Sequence, residues 1–311
     1  MKAVQINSYG GTEVLEIREN APQPTPTKEQ VLVEVYAASI NAIDWKVRAG
    51  YFQKMAPVAL PVTLGGDFAG KVVAGNETAG FKIGDEVYGQ AIFLNGGSGS
   101  FAEYVAANVG NTAFKPKTAS LAEAGALPLA GISALQGLED HIKLQSGQKI
   151  LIHGGAGGVG HMAIQLAKKL GAYVATTVKT ADKEFVKNLG ADTVIDYKSE
   201  KFEDIVKDFD AVFDTVGGET TDKSFIVLKK GGILVSMTGQ PNKELALKYG
   251  ITGVGLRTQT DTLHLNRLSE LVDGGKIKVH VDKMFPLEQV QEAFKYQEEV
   301  HPQGKVIIKI K

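Results

Sequence analysis

The chain has 311 residues, 43% of them hydrophobic and 22% charged, with a net charge of -1. That balance describes a water-soluble globular protein of one large or two ordinary domains, and it gives nucleic acid or an anionic membrane no electrostatic reason to bind. Cysteine is absent, which excludes disulfides, thiol nucleophiles and every zinc site that needs thiolate ligands.

The opening MKAVQINSYGG lacks the apolar core of a signal peptide, and no apolar run is long enough to span a bilayer, so a cytoplasmic protein is expected. Lys2 to Ile6, Val14 to Arg18 and Val31 to Ala38 are short runs rich in β-branched residues, parted by Pro22, Pro24 and Pro26. Gly70 to Ala74 continues the series, the turn Gly84-Asp85-Glu86-Val87-Tyr88-Gly89 follows, and the loop Asn95 to Gly99 precedes the apolar stretch Phe101 to Ala107. Short strands at this spacing point to a β-barrel or sandwich. The pattern changes near Ser120. Ser120 and Glu123 have the spacing of a capping box, and a second apolar helix is expected from Gly131 towards Leu138. Strands and helices then alternate: strand Lys149 to His153, helix His161 to Leu170, strand Tyr173 to Val178, helix Lys183 to Leu189. Thr193 to Asp196, Ala211 to Thr215 and Gly232 to Met237 continue the strands. Such alternation implies parallel strands with crossover helices, an α/β doubly wound sheet. After about Asp261 come a helix (Leu263 to Val272), a strand (Lys276 to Asp282), another helix and a last strand, Lys305 to Ile310.

Ile150-Leu151-Ile152-His153 runs directly into Gly154-Gly155-Ala156-Gly157-Gly158-Val159-Gly160. Gly155, Gly157 and Gly160 fit G-x-G-x-x-G between a strand and a helix. One glycine allows the turn, the next lets backbone touch a pyrophosphate, and the last packs helix on strand. N–H groups at the helix start then meet the phosphate charge. An NAD site places an acid at the end of the second strand. Here that strand ends Ala175-Thr176-Thr177-Val178-Lys179, with no acid before Asp182. A carboxylate repels a 2′-phosphate, whereas the Thr177 hydroxyl and the Lys179 and Lys183 amines would bind one. NADPH is the expected cofactor. Lys179 and Lys183 have a second reading as solvated surface charges.

The chain resembles the medium-chain dehydrogenase/reductase superfamily, in its zinc-independent, quinone-oxidoreductase-like branch. The resemblance rests on Ser39-Ile40-Asn41-Ala42-Ile43-Asp44, Gly65-Gly66-Asp67-Phe68-Ala69-Gly70, Gly84-Asp85-Glu86-Val87, Gly99-Ser100-Phe101-Ala102-Glu103-Tyr104, Leu127-Pro128-Leu129-Ala130-Gly131, the glycine loop, Phe213-Asp214-Thr215-Val216-Gly217-Gly218 and Gly304-Lys305-Val306. It implies a GroES-like β-barrel domain from residues 1–121 and 262–311 and a Rossmann NADPH-binding domain from residues 122–261. It further implies NADPH-dependent reduction of a quinone or an α,β-unsaturated carbonyl, often by a homodimer; the near-neutral charge argues against nucleic acid, the lack of a long apolar run against a membrane, and the missing cysteine and histidine ligands against a metal. Zinc-dependent relatives carry a cysteine ligand within the segment that here reads Ser39 to Asp44, and Gly-His-Glu where this chain has Gly65-Gly66-Asp67. The resemblance assigns Asn41, Ser133, Gly157, Gly158, Val159, Thr177, Lys183, Tyr197, Val216, Gly217 and Lys305 to the cofactor, and the glycine spacing and the end of the second strand add Gly155 and Lys179.

For the chemistry, Asn41, Lys46 and Tyr51 are the candidates: the first two as donors to an enolate, Tyr51 as a donor or as pocket wall. Asp44 is either a polar active-site group or the cap of a helix starting at Trp45. His153 fits a hydrogen-bonded structural histidine better than an acid–base catalyst. Two rival functions stand beside this one: a one-electron quinone route on the same scaffold, and a non-catalytic NADPH sensor or nucleic-acid-binding relative.

Overall fold

Strands form where β-branched and apolar residues alternate, and helices where capping residues precede apolar stripes, in a computed structural model that describes residues 1–54, 57–75 and 80–311. In chain order come β1 (Ala3–Ile6), β2 (Glu16–Arg18), β3 (Gln30–Ser39), α1 (Ala42–Arg48), β4 (Val62–Thr63), β5 (Asp67–Gly75), β6 (Glu86–Gln90), β7 (Tyr104–Asn108) and β8 (Thr112–Phe114). There follow α2 (Leu121–Gly125), α3 (Pro128–Leu135), β9 (Lys149–His153), α4 (Gly160–Lys169), β10 (Tyr173–Val178), α5 (Lys183–Asn188), β11 (Thr193–Asp196), α6 (Phe202–Ile205) and β12 (Phe209–Asp214). The chain ends with α7 (Glu219–Lys223), β13 (Leu228–Ser236), α8 (Lys243–Tyr249), β14 (Thr252–Gly255), α9 (Thr262–Asp273), β15 (Val281–Pro286), α10 (Val290–Val300) and β16 (Lys305–Lys309).

Contacts divide the chain into two units. Unit 1 comprises Met1–Ala130, Thr260–Gly274 and Val279–Lys311; unit 2 comprises Gly131–Gln259 and Gly275–Lys278. The boundary therefore falls inside α3, later than residue 121. The segment in between stays with unit 1 because α2 lies against β3, where a Cβ on Gly125 would sit 2.9 Å from the Ala37 carbonyl oxygen.

In unit 1 the larger sheet runs β15-β16-β3-β5-β6-β8, with β7 also on β3. Its register sets three polar side chains in a row: Ser39 of β3 opposite Asp67 of β5, and Asp67 opposite Gln90 of β6. The last strand, β16, joins β3 with Ile307 opposite Ser39. Val31, Val33, Val35, Phe68 and Val87 fill one core; Val4, Ile6, Ile40, Phe101, Phe294 and Val306 fill another. Burying such side chains contributes roughly 1.5–3 kcal/mol each.

In unit 2 six strands run parallel in the order β11-β10-β9-β12-β13-β14. From β9 the chain winds out through β10 and β11, then returns to β12 on its other side. That reversal is the switch point where doubly wound sheets bind ligands at the carboxyl ends of their strands. The glycine loop leaves β9 there.

Several elements differ from expectation. The helix after Asn41 starts at Ala42, not Trp45, and Asn41 is its cap. The capping box at Ser120 and Glu123 forms as expected. α3 starts at Pro128, whose missing N–H costs nothing in a first helical turn, and gives way to a wider π-type turn over Gln136–Ile142. The late strand covers Val281–Pro286 instead of 276–282. β14, with two glycines among four residues, carries too little β-branched character to be legible. Among the described residues no helix is long and apolar enough to cross a membrane.

Candidate functional site

The loop after β9 is built around missing side chains. Gly154 has φ +72, which favours glycine. A Cβ on Gly155 would run into the Thr176 hydroxyl oxygen of β10, and one on Gly160 into the Gly154 carbonyl oxygen. These two glycines hold strand, loop and helix together. Gly157 is different: its Cβ would meet only the Gly154 carbonyl oxygen, at 3.4 Å. Packing does not demand a glycine there; close approach of a ligand to the backbone would. No side chain caps α4, so a bound anion can serve its first turn. At the same edge of the sheet a cavity of about 670 Å³ opens beyond β12 and β13, lined by Gly218, Thr221, Ser236, Thr238 and Asn242 among others.

Beneath the loop lies His153, fully buried. Its Nε2 is 3.0 Å from Ser224 Oγ and its Nδ1 3.0 Å from Thr177 Oγ1. The Ser224 hydroxyl donates to the Thr220 carbonyl at 2.6 Å, so it accepts from the imidazole, and Nε2 carries the proton. Nδ1 is then the acceptor of a hydrogen bond that the Thr177 hydroxyl donates. Thr177 Oγ1 in turn accepts the Gly154 N–H at 3.4 Å. Burial pushes the His153 pKa down to about 4, partly opposed by the negative charge of Asp214. The imidazole is a neutral strut, in keeping with the structural role expected for it. Thr177 is a correction: its one proton is spent inward on His153, so it has no hydroxyl proton to offer a phosphate.

The other residues expected at the cofactor lie as follows. Ser133 is fully buried, its Oγ 2.8 Å from Thr258 Oγ1. Lys179 Nζ stands 4.0 Å from Asp182, while Lys183 Nζ stands 3.6 Å from Glu200 and 4.0 Å from Asp196. Tyr197 and Val216 are exposed. The N–H groups of Val216 and Gly217 donate to one oxygen of the buried Asp214 carboxylate, at 2.9 and 3.1 Å. That carboxylate shapes the turn after β12; the motif Phe213 to Gly218 marked the segment without giving Asp214 this role.

In unit 1 a second constellation is made wholly of side chains. Asp67 is fully buried and accepts from Asn41 Nδ2 at 2.7 Å, Ser39 Oγ at 3.0 Å and the Leu129 N–H at 3.1 Å. Lys305, 3% exposed, donates to the Ile40 carbonyl at 2.9 Å and to Asn41 Oδ1. Asp44 Oδ2 accepts the Asn41 backbone N–H at 2.7 Å, and its buried Oδ1 has no partner among the described residues. Asp44 is thus both a capping group and a buried acid. Burial pushes its pKa up to about 7, and the Asp67 charge adds to the rise, against the Asn41 N–H and Lys305. Burial also raises Asp67 and lowers Lys305, each opposed by the charge of the other. With two carboxyls around one ammonium, a proton held on Asp44 brings the cluster to neutrality, the cheap state for buried charge.

This arrangement splits the three residues expected to carry chemistry. The Asn41 amide is consumed at both ends: its oxygen accepts from Lys305, and its two N–H groups donate to Asp67 at 2.7 Å and to the Ser39 carbonyl at 3.4 Å, so Asn41 has no free donor for an enolate. Lys46 and Tyr51 instead share Trp45: the Lys46 ammonium lies 5.7 Å from the Trp45 ring centroid, and the Tyr51 ring meets it edge-on at 5.4 Å. Tyr51 is 66% exposed. Asp67 escaped sequence reasoning as a functional residue, although a carboxylate beside Phe68-Ala69 in a buried strand is itself a signal.

Residues 27–117 match the family described as alcohol dehydrogenase GroES-like domain, and residues 189–308 the family described as zinc-binding dehydrogenase. Over 317 residues the chain is 40% identical to the 2-methylene-furan-3-one reductase of Solanum lycopersicum, covering 99% of this chain and 79% of that protein. It is 39% identical to a chloroplastic NADPH-dependent alkenal/one oxidoreductase of Arabidopsis thaliana, with the same coverage. A solved quinone oxidoreductase from Coxiella burnetii superposes with TM-score 0.92 at 36% identity, over 100% of this chain and 99% of that one.

Proposed function

The chain belongs to the medium-chain dehydrogenase/reductase family, with a GroES-like domain and a parallel-sheet Rossmann-type domain, and from that premise we propose that it is an NADPH-dependent oxidoreductase reducing quinones or α,β-unsaturated carbonyls without zinc. The observation that carries the dinucleotide is the contrast between Gly160, closed by its own loop, and Gly157, open to a ligand. The relatives' substrates, a methylene-furanone and alkenals or enones, support the acceptor class.

When bound, the reduced nicotinamide supplies the hydride. The loop backbone and the first turn of α4 would hold the pyrophosphate, Ser133 would lie beside the cofactor, Val216–Gly217 would edge its ribose or nicotinamide, Tyr197 would line the adenosine end, and Lys183, with Lys179, would receive the 2′-phosphate. Reduction of an enone leaves negative charge on its carbonyl oxygen. Lys46 and Tyr51 are the donors for that charge, since both keep a polar end clear of the core. Asn41, Asp67, Asp44 and Lys305 act behind them, holding the start of α1 in place. Zinc does not fit this cluster: the sequence offers no thiolate, and the buried Lys305 ammonium would repel a divalent cation. A second copy of the chain as partner belongs to the proposal and is read from its mass in solution.

The test is spectroscopic. NADPH oxidation is followed with short enals, enones and quinones, with NADH alongside and with chelator present. Turnover with NADPH that survives chelation is expected, and product analysis separates two-electron from one-electron reduction. Protein that binds NADPH and never oxidises it across that panel would be a sensor, not a reductase.

A further inference from the structure

Lys183 opens α5 with its side chain 33% exposed, and two carboxylates already stand beside it. The nearer, Glu200, is held in place. Its Oε2 accepts the Asp196 N–H at 2.8 Å, and its own N–H donates to the Asp196 carbonyl, also at 2.8 Å. The same Oε2 lies 3.6 Å from Lys183 Nζ. The other, Asp196, closes β11 in register with Val178, the last residue of β10. Its carboxylate accepts from the Thr180 hydroxyl and from the Lys198 N–H at 3.1 Å. These bonds, with the Lys183 charge, hold it below the ordinary carboxylate range. One amine thus faces two fixed negative charges at the place where the second strand of a dinucleotide fold ends.

We propose that Glu200 is a built-in competitor for the 2′-phosphate at Lys183, and so sets how strongly this chain prefers NADPH over NADH. The proposal deepens the assignment of Lys183 made above and rests on it. A 2′-phosphate brings nearly two negative charges to an amine whose charge Glu200 already answers; the phosphate must displace that carboxylate or bind beside it against like charge. A dinucleotide with a free 2′-hydroxyl brings no such charge and leaves the Glu200–Lys183 pair intact. Specificity is a difference of two affinities, and Glu200 acts on only one of them. Its chemistry is that of an internal stand-in for the phosphate.

Glu200→Gln separates this role from a structural one, because the amide oxygen still accepts the Asp196 N–H while the charge is gone. NADPH and NADH are titrated separately against the full-length protein, Glu200→Gln, Lys183→Met and the double variant. NADPH is expected to bind Glu200→Gln more tightly, by up to about fivefold, the upper end for a partly exposed ion pair, with NADH unchanged and the gain shrinking as salt is added. In the Lys183→Met background, Glu200→Gln should have no effect on NADPH. If Lys183→Met weakens NADPH but Glu200→Gln leaves it unchanged, or moves both dinucleotides alike, Glu200 is not a competitor. If Lys183→Met leaves NADPH affinity intact, the 2′-phosphate is not at Lys183 and the assignment falls with the proposal.

Discussion

The glycine loop of unit 2 and the Asn41 cluster of unit 1 hold their shape by opposite means. In the loop the working surface is backbone: Gly155 and Gly160 are closed by neighbouring atoms, Gly157 stands open, and the one ring beneath, His153, is kept neutral. In the cluster the working parts are side chains, two carboxyls and an ammonium joined through one amide and all buried. A backbone cradle costs little electrostatically, since it carries only the partial charges of N–H groups and no buried full charge. A buried side-chain cluster is stable only while every member is present.

That difference sets the largest expected effect. Lys305→Met removes the only ammonium that faces Asp67 and Asp44 among the described residues, leaving buried negative charge uncompensated, and should cost about 3–5 kcal/mol in urea unfolding. Adding Asp67→Asn should recover part of the loss, because both halves of the pair are then neutral. A Lys305→Met protein within about 1 kcal/mol of the parent would show that the cluster is not a charge-balanced unit, and the contrast with the loop would disappear.

Acidity tests the comparison more finely, because Asp44 in the cluster and His153 beneath the loop are displaced in opposite senses. In Asp44 the pKa rises from 3.8 to about 7. The folded chain therefore keeps a proton that the unfolded chain releases, and the stability Asp44 contributes is full below about pH 4 and lost by about pH 7. In His153 the pKa falls from 6.5 to about 4. Here the unfolded chain binds the extra proton, so stability grows as pH rises from about 4 to about 6.5. Each slope is about 1.4 kcal/mol per pH unit, with opposite signs. Relative to the parent, Asp44→Asn should make stability rise more steeply with pH in that shared window, and His153→Gln should make it rise less steeply. Parallel curves for all three proteins would remove both groups from the account.

The same contrast explains what was legible in the sequence. The loop declares itself because its signal is local: three glycines at fixed spacing between an apolar strand and a helix. Five of the six parallel strands, β14 excepted, were legible for the same reason, each being a short apolar run bounded by turns. The cluster is not local. Asn41 meets Asp67 26 residues away and Lys305 264 residues away, and only the sheet register brings them together. Lys305 and Asn41 were found through a resemblance, which marked the positions without their bonding. The inward turn of Thr177 was hidden likewise, since it depends on Ser224, 71 residues beyond the histidine that both flank. Hydroxyl direction is set by the whole network and is invisible in a strand of threonines.

The smallest effect on stability, and the sharpest on the loop itself, comes from one methyl group placed at two positions. Gly160→Ala puts a Cβ 2.7 Å from the Gly155 Cα as well as against the Gly154 carbonyl oxygen. Backbone must move, at about 1–3 kcal/mol, and dinucleotide affinity should fall with it. Gly157→Ala meets one atom at 3.4 Å, ordinary van der Waals contact, so unfolding should shift by less than about 0.5 kcal/mol. If a pyrophosphate rests on that backbone, the methyl group occupies its place, and NADPH binding should weaken about tenfold or more in a protein of unchanged stability, with NADH weakened equally because both share the pyrophosphate. A Gly157→Ala protein that binds both dinucleotides as the parent does would mean that the open glycine faces solvent and not a ligand, and the backbone cradle would lose the one feature that distinguishes it from a tight turn.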